Sequence, residues 1–213
     1  MDTLNTPTSQ RFWYAVLLVG LGVVLFLLLY RLADYPTPWY DEGSHLHVAK
    51  NYALNGIYAD YSSEGPRYYG PAVGVGPTVM LPIALLFRIG GVSIPLARLV
   101  IVAYSLFSLG LLVLVGRQIG SLSLGVVAAL LLVLAPGADF VFNSRTVLGE
   151  LPGLFFLLAG LWLWLRTETP RLTALVGVGL LMGLAAITKN QYALFVLPGL
   201  LLCWIADLVW YRQ

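Results

Sequence analysis

Residues 12–32 read FWYAVLLVGLGVVLFLLLYRL, an apolar run long enough, at about 1.5 Å per helical residue, to cross the roughly 30 Å hydrocarbon core of a bilayer. A cleaved leader has a shorter apolar centre, usually about 7 to 15 residues, followed by a small-residue cleavage site, and neither is present. The run is therefore expected to remain as an anchor. Phe12, Trp13 and Tyr14 at one end, and Tyr30, Tyr35, Trp39 and Tyr40 at the other, fit aromatic belts at the two interfaces. Working outward, the chain is 59% hydrophobic and only 10% charged, which excludes an ordinary soluble domain and predicts an all-α, polytopic membrane bundle. A formal net charge of +2, with the basic residues scattered, excludes a nucleic-acid partner. The single cysteine, Cys203, reads as a small hydrophobe in an apolar run.

Further apolar runs at Leu96–Val115, Leu122–Ala135, Leu151–Leu165, Leu172–Ile187 and Tyr192–Trp210 bring the expected crossings to six. Thr78–Ile89 is apolar but short, contains Pro82 and ends in Arg88. It is expected to be interfacial or re-entrant. Counting basic residues on the two sides does not decide this point. A chemical consideration does: if Thr78–Ile89 does not cross, then Asp41, Glu42, Asp139, Arg145, Glu150 and Lys189 all share one face. Residues 33–95 then form a long first external loop. Within it Leu46, Ala49 and Ala53 recur at helical spacing and Gly56 ends the pattern, so a short surface-lying amphipathic helix is expected. The Gly65-Pro66, Gly70-Pro71 and Gly76-Pro77 pairs predict turns beyond it. No internal repeat or linker divides residues 1–213, which read as one module. Gly149 with Gly153, and Gly179 with Gly183, have the spacing that lets membrane helices approach closely.

Charge is concentrated where the first anchor ends, in Trp39-Tyr40-Asp41-Glu42-Gly43-Ser44-His45-Leu46-His47. Asp41 as N-cap and Glu42 in the first turn suit a helix start; equally, a wetted carboxylate beside the bilayer can act as a general base or a metal ligand. His45 and His47 are too close in sequence for the i, i+4 zinc pair, whereas Glu42 and His45 can face the same way, making them candidate ligands of a divalent metal ion. Glu150 opens a later span beside Pro152, with Arg145 or Lys189 as its expected partner. Lys189-Asn190-Gln191 is both a polar hairpin between spans and a candidate phosphate site. Arg98, just inside the Leu96 helix, has the same two readings.

The order of these features resembles the start of the GT-C membrane glycosyltransferases. They are a first span, Trp39-Tyr40-Asp41-Glu42-Gly43 with Ala49, a Gly-Pro stretch before a short apolar helix, then Ala97-Arg98. The closest likeness is to the branch holding the protein O-mannosyltransferases and the aminoarabinose lipid A transferases. Pro136, Arg145, Glu150-Leu151-Pro152 and Thr188-Lys189 follow in that branch's order. The resemblance implies transfer of a sugar from a polyprenyl phosphate donor to a hydroxyl acceptor at the extracytoplasmic face of a bacterial or archaeal plasma membrane. It implies Asp41 as catalytic base and Glu42 as the group orienting the acceptor or a metal. Arg98, Arg145 and Lys189 would hold the donor phosphate, with Glu150 and His45 in support and Tyr68 and Tyr69 available to stack on the sugar. The partners implied are the lipid-linked sugar and membrane lipid. Many relatives carry a basic residue where this chain has Gly76, and they continue through further spans, so a fragment, a minimal relative or a degenerate copy is expected, with a C-terminal part or another membrane subunit as a further partner. The rival expectation is a non-catalytic, lipid-binding membrane module.

Overall fold

The structure is a computed structural model that describes residues 7–68, 74–167 and 171–210. Nine α-helices and one hairpin make up these residues: α1 (Pro7–Leu29), α2 (Tyr40–Asn55), strands β1 (Ala59–Ser62) and β2 (Gly65–Tyr68), α3 (Pro77–Gly90), α4 (Ile94–Ile119), α5 (Leu122–Leu134), α6 (Phe140–Arg145), α7 (Glu150–Arg166), α8 (Leu172–Thr188) and α9 (Leu197–Trp210). A 3-10 turn at Pro136–Ala138 separates α5 from α6, and a π-helical turn at Tyr192–Val196 leads into α9. The all-α membrane class holds. The count of six crossings is revised: Gln10–Leu29 and Ile94–Ile119 are long and apolar enough to cross, and α5 with Pro136–Arg145 makes a third only if a 68° bend is allowed within one span. The bend follows from Pro136, which cannot continue the α5 hydrogen-bond ladder. With 14 residues, α3 spans about 21 Å and falls short of the bilayer core.

Helix α2 differs from its expected form. It is not a helix lying on a surface: Glu42, His45, Val48, Ala49, Asn51 and Ala53 are buried, and the helix packs on α3 and β1. Its N-cap is Trp39, so Asp41 sits inside the first turn and does not cap, and it stops at Gly56 in the left-handed region, φ 70°, where glycine carries no Cβ penalty. Arg88 of α3 donates to two carbonyls in the last turn of α2, Ala53 O at 3.1 Å and Tyr52 O at 3.4 Å. The second of these also accepts from Gly56 N, so the arginine serves an acceptor at Ala53 that the helix end leaves open. Asn51 Nδ2 donates to Ala59 O at 2.9 Å and fixes the hairpin to α2. The hairpin pairs Ala59 with Tyr68 and Ser62 with Gly65, antiparallel, where only turns are expected from sequence. Four-residue strands containing glycine and proline carry too little alternation to be read in advance.

Two cores hold the helices. One joins Val48 and Ala49 of α2, Val79, Met80 and Ile83 of α3, Ala97 and Ile101 of α4, and Val147. The other joins Val24 and Leu28 of α1 to Leu32, Val102 of α4, Phe140 of α6 and Leu151 of α7. Where helices cross without bulky side chains, glycine sets the distance. A Cβ on Gly125 would lie 2.3 Å from Val113 O, and one on Gly116 would lie 2.3 Å from Gly125 Cα, so α4 and α5 meet backbone to backbone. Of the two spaced pairs in the sequence, Gly149 and Gly153 make such contacts, whereas a Cβ on Gly179 or Gly183 meets nothing within 4 Å. Gly125→Ala is therefore expected to lower stability by about 1–3 kcal/mol through forced helix separation, while Gly183→Ala is neutral or stabilising; unfolding in detergent micelles measures both.

Candidate functional site

Asp41 and Glu42 are neighbours on a helix, so they point about 100° apart: Asp41 is exposed, and Glu42 is 0% exposed. The Glu42 carboxylate meets Arg98, also 0% exposed, in a two-pronged pair, Nε to Oε1 at 2.8 Å and Nη2 to Oε2 at 2.7 Å. Such a fork matches guanidinium to carboxylate geometry and gives strong charge-assisted bonds. The remaining partners are all backbone. Val147 N donates to Glu42 Oε1 at 3.1 Å, and Arg98 donates to Leu32 O at 2.8 Å and Pro36 O at 2.7 Å. One ion pair thus ties together the exit of α1, the start of α2, the start of α4 and the loop before α7.

Arg145 acts at the same place. Its Nη1 and Nη2 donate to Leu27 O and Tyr30 O, both at 2.7 Å, and its guanidinium lies 5.3 Å from the centre of the Tyr35 ring. The sequence reading sends Arg98 and Arg145 to a donor phosphate; in the structure Arg98 is engaged by Glu42 and by loop carbonyls beyond α1, and Arg145 by carbonyls at the end of α1. The physical reason is that a helix ends in open carbonyls, and a buried guanidinium needs acceptors for its many donors. The metal candidate Glu42 is likewise taken up by protein groups. Both Glu42 oxygens are engaged by Arg98 and Val147, and among the described residues no three His, Cys, Asp or Glu side chains gather as a metal site.

The groups that do converge are Asp41, His45, Glu150 and Lys189. Buried His45, one turn beyond Glu42 on α2, donates from Nδ1 to Val147 O at 2.8 Å, which aligns α2 with the entry to α7. Burial holds its imidazole below the ordinary value of 6.5, offset in part by the Val147 bond; Lys189 lowers it further, and the charges of Asp41 and Glu150 raise it. Glu150 and Lys189 pair at 2.8 Å, with 35% and 13% of their side chains exposed. The second carboxylate oxygen of Glu150 is enclosed without a partner among the described residues. Gly149 makes room for this pair, since a Cβ there would lie 3.0 Å from the Lys189 stem and 2.9 Å from Thr188 O.

Supporting residues that sequence reasoning missed frame the lysine. Tyr192 donates to Glu150 O at 2.7 Å, and its ring lies over Gly153 so closely that a Cβ there would sit 2.2 Å from it. The Thr78 and Thr188 hydroxyls share a hydrogen bond at 2.6 Å, and Gly76 N donates to Thr188 O at 2.9 Å. This joins the start of α3 to the end of α8 and brings the Lys189 ammonium to 3.7 Å from the Cβ position of Gly74. The close-packing glycine pair and the Thr188-Lys189 step were the available signals. The backbone of Tyr68 ends β2; its side chain and Tyr69 lie outside the described residues.

Arg98→Met leaves the Glu42 carboxylate buried without a cation and is expected to cost about 3–5 kcal/mol in detergent unfolding, most of it recovered when Glu42→Met is added. His45 gives a pH signature. Because the folded chain favours the neutral ring, the unfolded chain takes up the proton first as pH falls, so the His45 contribution is complete above 6.5 and lost on acidification through the lower folded value. The melting temperature of the parent is expected to fall more steeply below pH 6.5 than that of His45→Gln.

No curated protein matches the sequence. Among solved structures, ArnT from Cupriavidus metallidurans in its apo state, a GT-C glycosyltransferase, matches with a TM-score of 0.66 at 20% identity, over 95% of this chain and 36% of that one. The chain thus spans about a third of that protein's length, and the likeness is one of fold. Residues 74–212, well over half of the chain, match the dolichyl-phosphate-mannose-protein mannosyltransferase family. With helices of membrane-crossing length and apolarity, the chain is an integral membrane protein and belongs to that family.

Proposed function

We infer that the chain carries the reaction centre of a membrane glycosyltransferase, moving a sugar from a polyprenyl phosphate to a hydroxyl at the extracytoplasmic face. The observation that carries this reading is the contrast between neighbours on one helix turn. Glu42 is locked by Arg98, and Asp41 beside it is exposed, with no hydrogen bond or ion pair among the described residues. A carboxylate held rigidly by its neighbour yet open to solvent suits a general base.

In the reaction, the acceptor hydroxyl oxygen forms a bond to the anomeric carbon as its proton passes to Asp41. The bond from that carbon to the phosphate oxygen breaks, and its electron pair leaves with the polyprenyl phosphate. That leaving group needs a cation to stabilise its charge, and Lys189 supplies it. The lysine is shared with Glu150, and it and Asp41 both act electrostatically on His45. Arg98 and Arg145 enter this scheme as positioning residues. They hold the end of α1 against α2 and α4, leaving donor phosphate recognition to Lys189. Glu42 likewise positions Asp41 through the first turn of α2 and carries no role as a ligand.

Asp41→Asn, with helix content unchanged by circular dichroism, is expected to lower sugar transfer from a polyprenyl phosphate donor in liposomes by about 100-fold or more. Turnover equal to that of the parent removes Asp41 from the reaction. Lys189→Gln is expected to weaken binding of polyprenyl phosphate about tenfold or more, the worth of a charge-assisted hydrogen bond.

A further inference from the structure

A second site lies at the other end of the helices and has no part in the proposed reaction. Between α1, α4 and α5 runs an apolar groove of about 690 Å³, lined by Leu17, Gly20, Leu21, Gly110, Val113 and Leu130 among others. Two glycines give it depth: a Cβ on Gly20 or Gly110 would meet nothing within 4 Å. At one end the groove reaches Tyr14, which also lines an adjoining cavity of about 420 Å³ with Gln10 and Arg117. Arg117 is exposed and makes no hydrogen bond or ion pair among the described residues. None of α1, α4 and α5 contains an acidic residue. The combined shape is that of an amphiphile, a hydrocarbon slot of ligand-sized volume ending in a cationic, hydrogen-bonding head.

We propose that this groove holds one acyl chain of an anionic phospholipid whose phosphate sits at Arg117. Position along α4 decides against the polyprenyl donor as occupant. Arg98 and Arg117 belong to the same helix, 19 residues apart and so separated by about 28 Å along its axis, close to the full thickness of the hydrocarbon core. A phosphate at Arg117 therefore lies in the leaflet opposite Asp41, where no sugar transfer takes place. Charge complementarity selects the headgroup, since a zwitterionic lipid gains little net from an arginine carried on helices without acidic residues.

The test uses the purified chain in a mild detergent with equal amounts of phosphatidylglycerol and phosphatidylcholine carrying the same acyl chains, with retained lipid counted by native mass spectrometry. The expected result is a preference of about fivefold for phosphatidylglycerol, the worth of one arginine near a headgroup. That preference disappears in Arg117→Gln and survives in Arg117→Lys. Gly20→Leu combined with Gly110→Leu fills the slot and lowers retention of both lipids. Three results overturn the proposal: a preference unchanged in Arg117→Gln, retention unchanged in the filled groove, or no retention of either lipid by the parent, which would leave the groove as a seat for polypeptide. Because Arg117 is exposed, its variants keep the proposal falsifiable should the double leucine variant fail to fold.

Discussion

Burying a carboxylate and a guanidinium is costly in any solvent and becomes tolerable only when every polar atom finds a partner. The Glu42–Arg98 pair meets that condition with two mutual bonds and three to backbone groups of otherwise distant segments. Its net contribution to stability is small beside its effect on geometry. A pair of this kind has one low-energy arrangement, and each segment it touches must accept that arrangement. The end of α1, the first turn of α2, the first turns of α4 and the loop at Val147 are therefore fixed relative to one another before any ligand is considered. Arg145 binds the same stretch through its two terminal nitrogens, at Leu27 and Tyr30, while its Nε is enclosed without a partner among the described residues. The C-terminal end of the first anchor is thereby held by directional bonds in a chain otherwise dominated by nondirectional apolar contacts.

This explains which parts of the molecule were legible in the sequence. Hydrophobic run length is a strong signal, so the membrane class and the apolar helices α3, α4 and α8 could all be read directly. Run length does not show where a ladder bends, and so the Leu122–Ala135 run, taken as a full crossing, is a short helix that turns sharply at Pro136. Helix α2 was found but misplaced. Its buried stripe contains Glu42, His45 and Asn51, and a polar residue with a distant partner looks solvent-facing when only its own segment is seen. The hairpin escaped for the opposite reason: its strands have little pattern of their own and depend on Asn51 to hold them.

The candidate site divides along the same line. Residue type singles out the charged groups, because ionisable residues are scarce in such a chain. It could not say which were available to a ligand. Arg98, Arg145 and Lys189 are equally cationic in sequence, yet Arg98 is taken up by Glu42 and loop carbonyls, Arg145 by carbonyls at the end of α1, and Lys189 stands beside a partly exposed carboxylate. The difference lies in long-range pairing, which no local spacing encodes. Asp41 and Glu42 are a similar case, since adjacent acids with the same propensities are separated only by the helical rotation between them.

The seating of Tyr192 on Gly153, with its hydroxyl on Glu150, has a consequence for biosynthesis. Membrane chains are threaded into the bilayer from the N-terminus as they leave the ribosome, and Asp41 arrives early. Lys189 and Tyr192 arrive only after α8 has been made, so the acidic groups must wait, in contact with water, through the insertion of several helices. Closure of the α7–α8 hairpin is then the event that brings Lys189 against Glu150, which ties the meeting of these charges to the assembly of the latest segment.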